Sequence, residues 1–346
     1  MTANQDDIHI FQTRAAKLAR ALCLVLLTLA VTACPRNDKG PGPRVSVSDR
    51  PAETNSPVSG ATAFNGERAM DHVRKQIEFG PRVAGSAQLA KTREYITGAL
   101  KSYGLNVTTD EFTTATPIGE RKLINITAEI PGESKDVIII ASHYDTKLFT
   151  NMRFVGANDP GSSVGTLLEI GRVLGASQQK PKFTYWLVFF DGEESFCEGW
   201  DQCSKPDAPD NTYGSRRYVT QLRNNNELGR VRALLLLDMM GYKNLELGRD
   251  DMSTRWLQDI VWRTARDLGY GKYFVDRPEG VGGDDHEPFL RAGIDALDLI
   301  QLSGYPYWHR ADDTADKISP QSMKIVGDVV LASLPSIEQY LQSKSH

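Results

Sequence analysis

Three short runs of this 346-residue chain leave little choice of architecture. Val137–Ser142, Tyr185–Phe190 and Ala233–Leu237 are apolar almost throughout. A strand that apolar persists only where both of its faces are covered. Segments of helical period lie between and after them: Val164–Leu174, Tyr213–Leu222 and Ser253–Leu268, the last with Trp256, Ile260, Trp262 and Leu268. Ala296–Gln301 reads as a late strand and Pro320–Leu341 as the closing helix. Upstream, Ala63–Phe79 and Ser86–Tyr103 read as helices, with Gly104 placed to stop the second. Asn106–Thr113 and Leu123–Ile130 read as strands exposed on one face, and Pro131-Gly132 as the turn after them. Strands alternating with helices predict one α/β domain over residues 63–346, with a mixed, largely parallel sheet flanked by helices on both faces.

Ligands of open α/β sheets gather where strands end. The residues just past each buried strand therefore test function. His143 and Asp145 come after the first run; the next loop carries Gly156-Ala157-Asn158-Asp159. Asp191-Gly192-Glu193-Glu194 succeeds the second, Asp238 the third, and Trp308-His309 comes after the late strand and a short loop. Imidazole and carboxylate donors without cysteine suit zinc in a catalytic rather than a structural site. Adjacent glutamates at a strand end point in different directions, so one can hold a metal while the other moves a proton. Three of the six histidines, His143, His286 and His309, fall at these positions or in the cluster Asp284-Asp285-His286. His72 is expected on a helix surface.

The N-terminal part differs. Arg14, Lys17 and Arg20 precede the apolar run Ala21–Val31, and Thr32-Ala33-Cys34 closes it. A charged region, a short apolar core and small residues at a cleavage point make an export signal over residues 1–33. Val31-Thr32-Ala33-Cys34 resembles the bacterial lipobox, in which the cysteine is lipidated and anchors the mature protein to the membrane. The expected location is the bacterial cell envelope. Residues 34–62, rich in Pro, Gly and Ser, cannot bury enough apolar surface to fold and read as a flexible tether. In an exported protein, Cys197 and Cys203 are expected to form a disulfide pinning their loop. A net charge of -4 without a basic patch argues against nucleic-acid binding.

The ordered set His143-Tyr144-Asp145, Gly156-Ala157-Asn158-Asp159, Asp191-Gly192-Glu193-Glu194, Asp238 and His309 resembles the M28 zinc-peptidase family, over about residues 65–345. Phe189-Phe190 before the acidic motif, Trp200, Tyr213-Gly214-Ser215-Arg216-Arg217, Asp284-Asp285-His286 with Pro288-Phe289-Leu290, and Trp308-His309 followed by Asp312-Asp313 resemble its animal-type glutaminyl-peptide cyclotransferase branch. The resemblance implies the zinc-aminopeptidase (phosphorylase/hydrolase-like) fold. It implies one zinc held by Asp159, Glu194 and His309, a proton shuttle at Glu193 assisted by Asp238 and Asp284, and a substrate pocket lined by Trp200 and Trp308. The implied substrate is a peptide or protein with N-terminal glutamine, and a monomer is expected. His143 and Asp238 complete a second site if the chain is instead a two-zinc aminopeptidase. Asp298 stands where those cyclases have histidine, and Gly304 where they have an aromatic residue.

Overall fold

The computed structural model describes residues 63–344; the export signal, Cys34 and the tether lie outside the described residues. Two helices open the described chain. The Asn65 side chain accepts the amides of Glu67 and Arg68 and starts α1 (Gly66–Phe79). Ser86 does the same for Leu89 at the start of α2 (Ala87–Ser102). An antiparallel hairpin follows, β1 (Asn106–Thr116) with β2 (Gly119–Ile130). It is longer than the apolar pattern predicts, because main-chain pairing continues into polar residues facing solvent.

The sheet is completed by β3 (Val137–His143), β4 (Thr184–Phe190), β5 (Val231–Asp238) and β8 (Ala296–Ile300). Its order is β1-β2-β4-β3-β5-β8. β3 runs parallel to β4 and β5, and β5 parallel to β8, while β2 meets β4 antiparallel. Alternation along β3 explains the continuous apolar runs. Ile138 and Ile140 face a core shared with Leu167 and Ile170 of α3 (Gly161–Gly175) and Val329 and Val330 of α7 (Pro320–Lys344). Ile139 and Ala141 face the opposite core, shared with Tyr218 and Val219 of α4 (Tyr213–Asn224). Each such side chain contributes roughly 1.5–3 kcal/mol by leaving water. Helix α5 (Arg255–Asp267) buries Leu257, Val261 and Trp262 against the first core.

Three elements were not expected: the short parallel pair β6 (Leu247–Asp250) and β7 (Phe274–Glu279), and α6 (Glu287–Arg291). Their sequences are polar and too short for periodicity to register. His72 is also corrected. It is not a solvated helix residue but sits between Tyr95, whose hydroxyl is 2.6 Å from Nδ1, and Tyr103, 3.1 Å from Nε2. Burial pulls its pKa down to about 4, so the imidazole is neutral at pH 7.

Candidate metal centre

The parallel strands all deliver their carboxyl ends to one rim. His143 ends β3, Asp238 ends β5, and Glu193 and Glu194 follow β4. Asp159 arrives on the loop before α3, and His309 on the loop after β8. The side chains meet as two groups sharing one member, His143–Asp159–Asp238 and Asp159–Glu194–His309. His143 Nε2 lies 3.1 Å from Asp238 Oδ1 and 3.3 Å from Asp159 Oδ1. His309 Nε2 lies 3.2 Å from Glu194 Oε1 and 3.5 Å from Asp159 Oδ2.

These residues fit a divalent cation. Asp159, Glu193, Glu194 and Asp238 are all buried around two imidazoles, and Glu194 Oε2 and His143 Nδ1 have no hydrogen-bond partner. Burying several carboxylates is costly unless positive charge comes with them. Burial opposes protonation of both imidazoles, but Glu193 and Asp238 outweigh it at His143, and Glu194 at His309, so both pKa values rise. The donors are nitrogen and oxygen only, as a catalytic zinc site prefers.

A polar frame behind these candidate ligands sets their positions. Asp145 Oδ1 accepts the amides of Gly192 and Glu193 at 2.9 and 3.1 Å, and its Oδ2 accepts that of Glu194 at 3.3 Å. Asp145 is thus spent on the main chain and is not itself a ligand. Asp313 accepts the amides of Asn158 and Asp159 at 2.8 and 3.1 Å, and the Tyr305 hydroxyl at 2.6 Å. The fully buried guanidinium of Arg82 donates to Val155 and Gly156 carbonyls at 2.6 and 2.9 Å, fixing the same loop. Lys147 donates to the carbonyls of Ser195 and Cys197, just past Glu194. Gly156, at φ +52°, has no room for a side chain: a Cβ there would lie 1.9 Å from the Asp159 carbonyl oxygen. His309 and Met239, beside Asp238, are two of the four described non-glycine residues at positive φ. Such conformations concentrate at functional sites because the surroundings must hold them.

The three acids of Asp191-Gly192-Glu193-Glu194 separate in role. Asp191 turns away, accepting the Ile124 amide at 2.8 Å and the Tyr144 hydroxyl at 3.2 Å, and burial pushes its pKa up to about 8. Glu194 faces His309. Glu193 lies beside His143, with Oε2 3.7 Å from Nδ1. Burial raises the proton affinity of Glu193 well above the ordinary carboxyl range; His143 opposes this, and Asp284 and Glu194 add to it. Burial likewise raises Asp238, and lifts Asp284 to about 7.

Asp284 leads into a second buried group, Asp284–His286–Asp298, with Asp250 3.2 Å from His286 Nε2. Asp298 is a buried carboxylate, and the imidazole of this group comes from His286 at the start of α6. Asp250, Asp313, Arg82 and Lys147 carried no signal as site residues in the sequence. Only Asp313 stood near one, in Asp312-Asp313.

Trp200 and Trp308 are not core residues. Trp308 is 43% exposed and stacks on His309 with ring centres 4.3 Å apart. Phe149 and Phe154, which the sequence did not single out, set their edges against the same imidazole at 5.8 and 5.9 Å. Trp200 is half-buried in the loop closed by the Cys197–Cys203 disulfide, as expected for that pair.

The sequence pattern of peptidase family M28 matches residues 125–334. Among curated proteins, the chain is 29% identical over 273 residues to the glutaminyl-peptide cyclotransferase of Drosophila melanogaster, covering 71% of this chain and 75% of that protein. Among solved structures, an Acidobacteriales bacterium glutaminyl cyclase superposes with a TM-score of 0.75 at 35% identity, covering 84% of this chain and 100% of the other. A leucine aminopeptidase precursor from Bacteroides thetaiotaomicron superposes with a TM-score of 0.71 at 30% identity, covering 80% of this chain and 99% of the other.

Proposed function

The chain belongs to peptidase family M28, and from that premise we propose that it is a zinc-dependent glutaminyl-peptide cyclotransferase, converting the N-terminal glutamine of peptides to pyroglutamate with release of ammonia. The observation that carries this reading is Glu193, buried, raised in proton affinity and adjacent to the ligand Glu194, together with relatives and structural neighbours that are glutaminyl cyclases.

Asp159, Glu194 and His309 would hold one zinc. Zinc held there supplies a Lewis acid that polarises a carbonyl. The substrate provides its own nucleophile: the α-amine attacks the γ-carbonyl carbon, a C–N bond closes the ring, and the amide nitrogen leaves as ammonia. Glu193 takes a proton from the attacking nitrogen and returns it to the departing one, so no net proton is consumed. Glu193 is buried beside the carboxylates that would hold the metal, a position from which one carboxyl can both accept and release the proton. Asp284 and Asp238 assist by placing negative charge beside it. Trp308 and Trp200 offer flat apolar walls to a glutamine side chain.

A two-zinc aminopeptidase is the second reading. It is favoured by the complete triad His143–Asp159–Asp238 and by the aminopeptidase among the structural neighbours. Purified, zinc-supplied protein given peptides beginning with Gln or with Leu separates the two. Ammonia with a pyroglutamyl product is the expected result; free amino acid instead would establish the peptidase.

For the rest of the chain we assign residues 1–33 to an export signal, Cys34 to a lipid anchor, 34–62 to a tether and 63–346 to the catalytic domain. No helix among the described residues is long and apolar enough to cross a membrane, so an anchor would have to come from elsewhere. Cys34→Ala should move the protein from the detergent phase to the aqueous phase in detergent partitioning. An unchanged detergent fraction would rule out Cys34 as the anchor.

A further inference from the structure

A cleft of about 730 Å³ opens between the disulfide loop, one face of α4 and the first turn of α6. It adjoins the main chain of Glu193 and the segment that leads into Asp284. Thr212, in its lining, donates its amide to the Glu193 carbonyl at 2.8 Å. Gly282, also in the lining, lies two residues before Asp284. Gly283 between them, at φ +145°, lies against Trp200 and Glu287: a Cβ there would be 3.5 Å from the Trp200 indole nitrogen and 3.4 Å from Glu287 Oε2. Trp200 itself stands in the lining, on the Gly283 side of the cleft.

The lining carries four cations and three carboxylates. Glu287 and Arg291 pair with each other at 2.5 Å. Arg216 and Arg223, two turns apart on α4, form one wall. The Arg216 guanidinium donates to the main-chain carbonyls of Pro209 and Asn211 at 2.9 and 2.8 Å, and makes no ion pair among the described residues. Carbonyls orient it, while Asp285 and Asp210 lie near enough to favour its charge without pairing with it. Arg223 is exposed and likewise makes no ion pair among the described residues. The remaining charges, Asp201 in the disulfide loop and Lys205 and Asp207 just after it, are exposed.

Resting on the cyclase reading above, we propose that this cleft is the subsite for the residues that come after the N-terminal glutamine. Its α4 wall, Arg216 and Arg223, selects substrates with Asp or Glu at those positions. Arg216 presents a fixed, oriented charge, and Arg223 adds a second that reaches further out. Guanidinium forks suit carboxylates, and charge arranged along a groove acts mainly on encounter and binding.

The test uses the full chain and two peptides, Gln-Gly-Glu-Glu and Gln-Gly-Lys-Lys. The acidic peptide should show a kcat/KM higher by about 3- to 10-fold at low salt, mostly through KM, and salt should shrink the difference. Arg223→Gln should weaken the preference and Arg223→Glu should abolish it, each variant being checked by its thermal unfolding. Equal kcat/KM for the two peptides, or a preference that survives Arg223→Glu, overturns the subsite. Ammonia from neither peptide instead overturns the cyclase reading, and the subsite falls with it.

Discussion

Glu193→Gln keeps its zinc and its fold and loses about 10²–10⁴-fold in kcat, with KM little changed. The substitution preserves size and shape and removes only the ability to accept a proton. The main chain at this position is fixed by Asp145, whose Oδ1 accepts the Glu193 amide at 3.1 Å, so the variant side chain starts from the same place. The loss belongs at the upper part of the range because the neighbouring buried acids are already engaged: Glu194 faces His309, Asp238 is bound to His143, and Asp284 accepts the Asp285 amide. Glu194→Gln should behave differently. It weakens metal binding and loses activity that excess zinc partly restores. Metal analysis of the two purified variants beside their kinetics separates the roles. Metal lost from the first and kept by the second would exchange the two assignments.

Asp159→Ala removes tight metal binding and activity together. Asp159 is the only residue common to both candidate triads, so no single-metal or two-metal arrangement survives its loss. The fall in affinity should exceed the roughly 10- to 100-fold seen when a group merely orienting a ligand is removed. His143→Ala is the informative partner, because it belongs to one triad only. With one zinc at Asp159, Glu194 and His309, the variant keeps its metal. Two zincs per chain in the unmodified protein, reduced to one by His143→Ala, would refute the single-zinc assignment and favour the aminopeptidase. Metal counts by mass spectrometry and circular dichroism of the metal-free protein decide the matter independently of turnover.

Much of this centre was legible along the chain because its chemistry sits where the apolar runs stop. His143, Glu193, Glu194 and Asp238 each lie at or just past the end of a strand whose burial is written in its side chains. Alternation along those strands sends successive residues into two cores, and the parallel pairings align their ends on one rim. The acidic motif did not reveal which of its members face inward. Asp191 and Glu194 look alike in sequence, yet one latches β2 through the Ile124 amide and the other meets His309. Asp145 likewise offered a ligand and became a clamp. Such roles depend on which main-chain amides lie across from a carboxylate, and spacing carries no record of that. β6, β7 and α6 escape a reading of pattern because they are held by neighbours rather than by a periodicity of their own. His72 departs from its expected place for a related reason: its two tyrosine partners are contributed by another helix and by the turn after it.

The clamps at Asp145 and Asp313 bear on how chemistry can change within this family. Each saturates main-chain amides of a ligand-bearing loop with one buried carboxylate, so the outline of the cage is specified by the scaffold and not by its guest. Side chains on the rim can then be exchanged without dismantling the loop that presents them. A loop held in this way by its own main chain can keep its shape while the side chains around it change. A cyclase and an aminopeptidase that superpose on this chain almost equally well are what such a division of labour would leave behind.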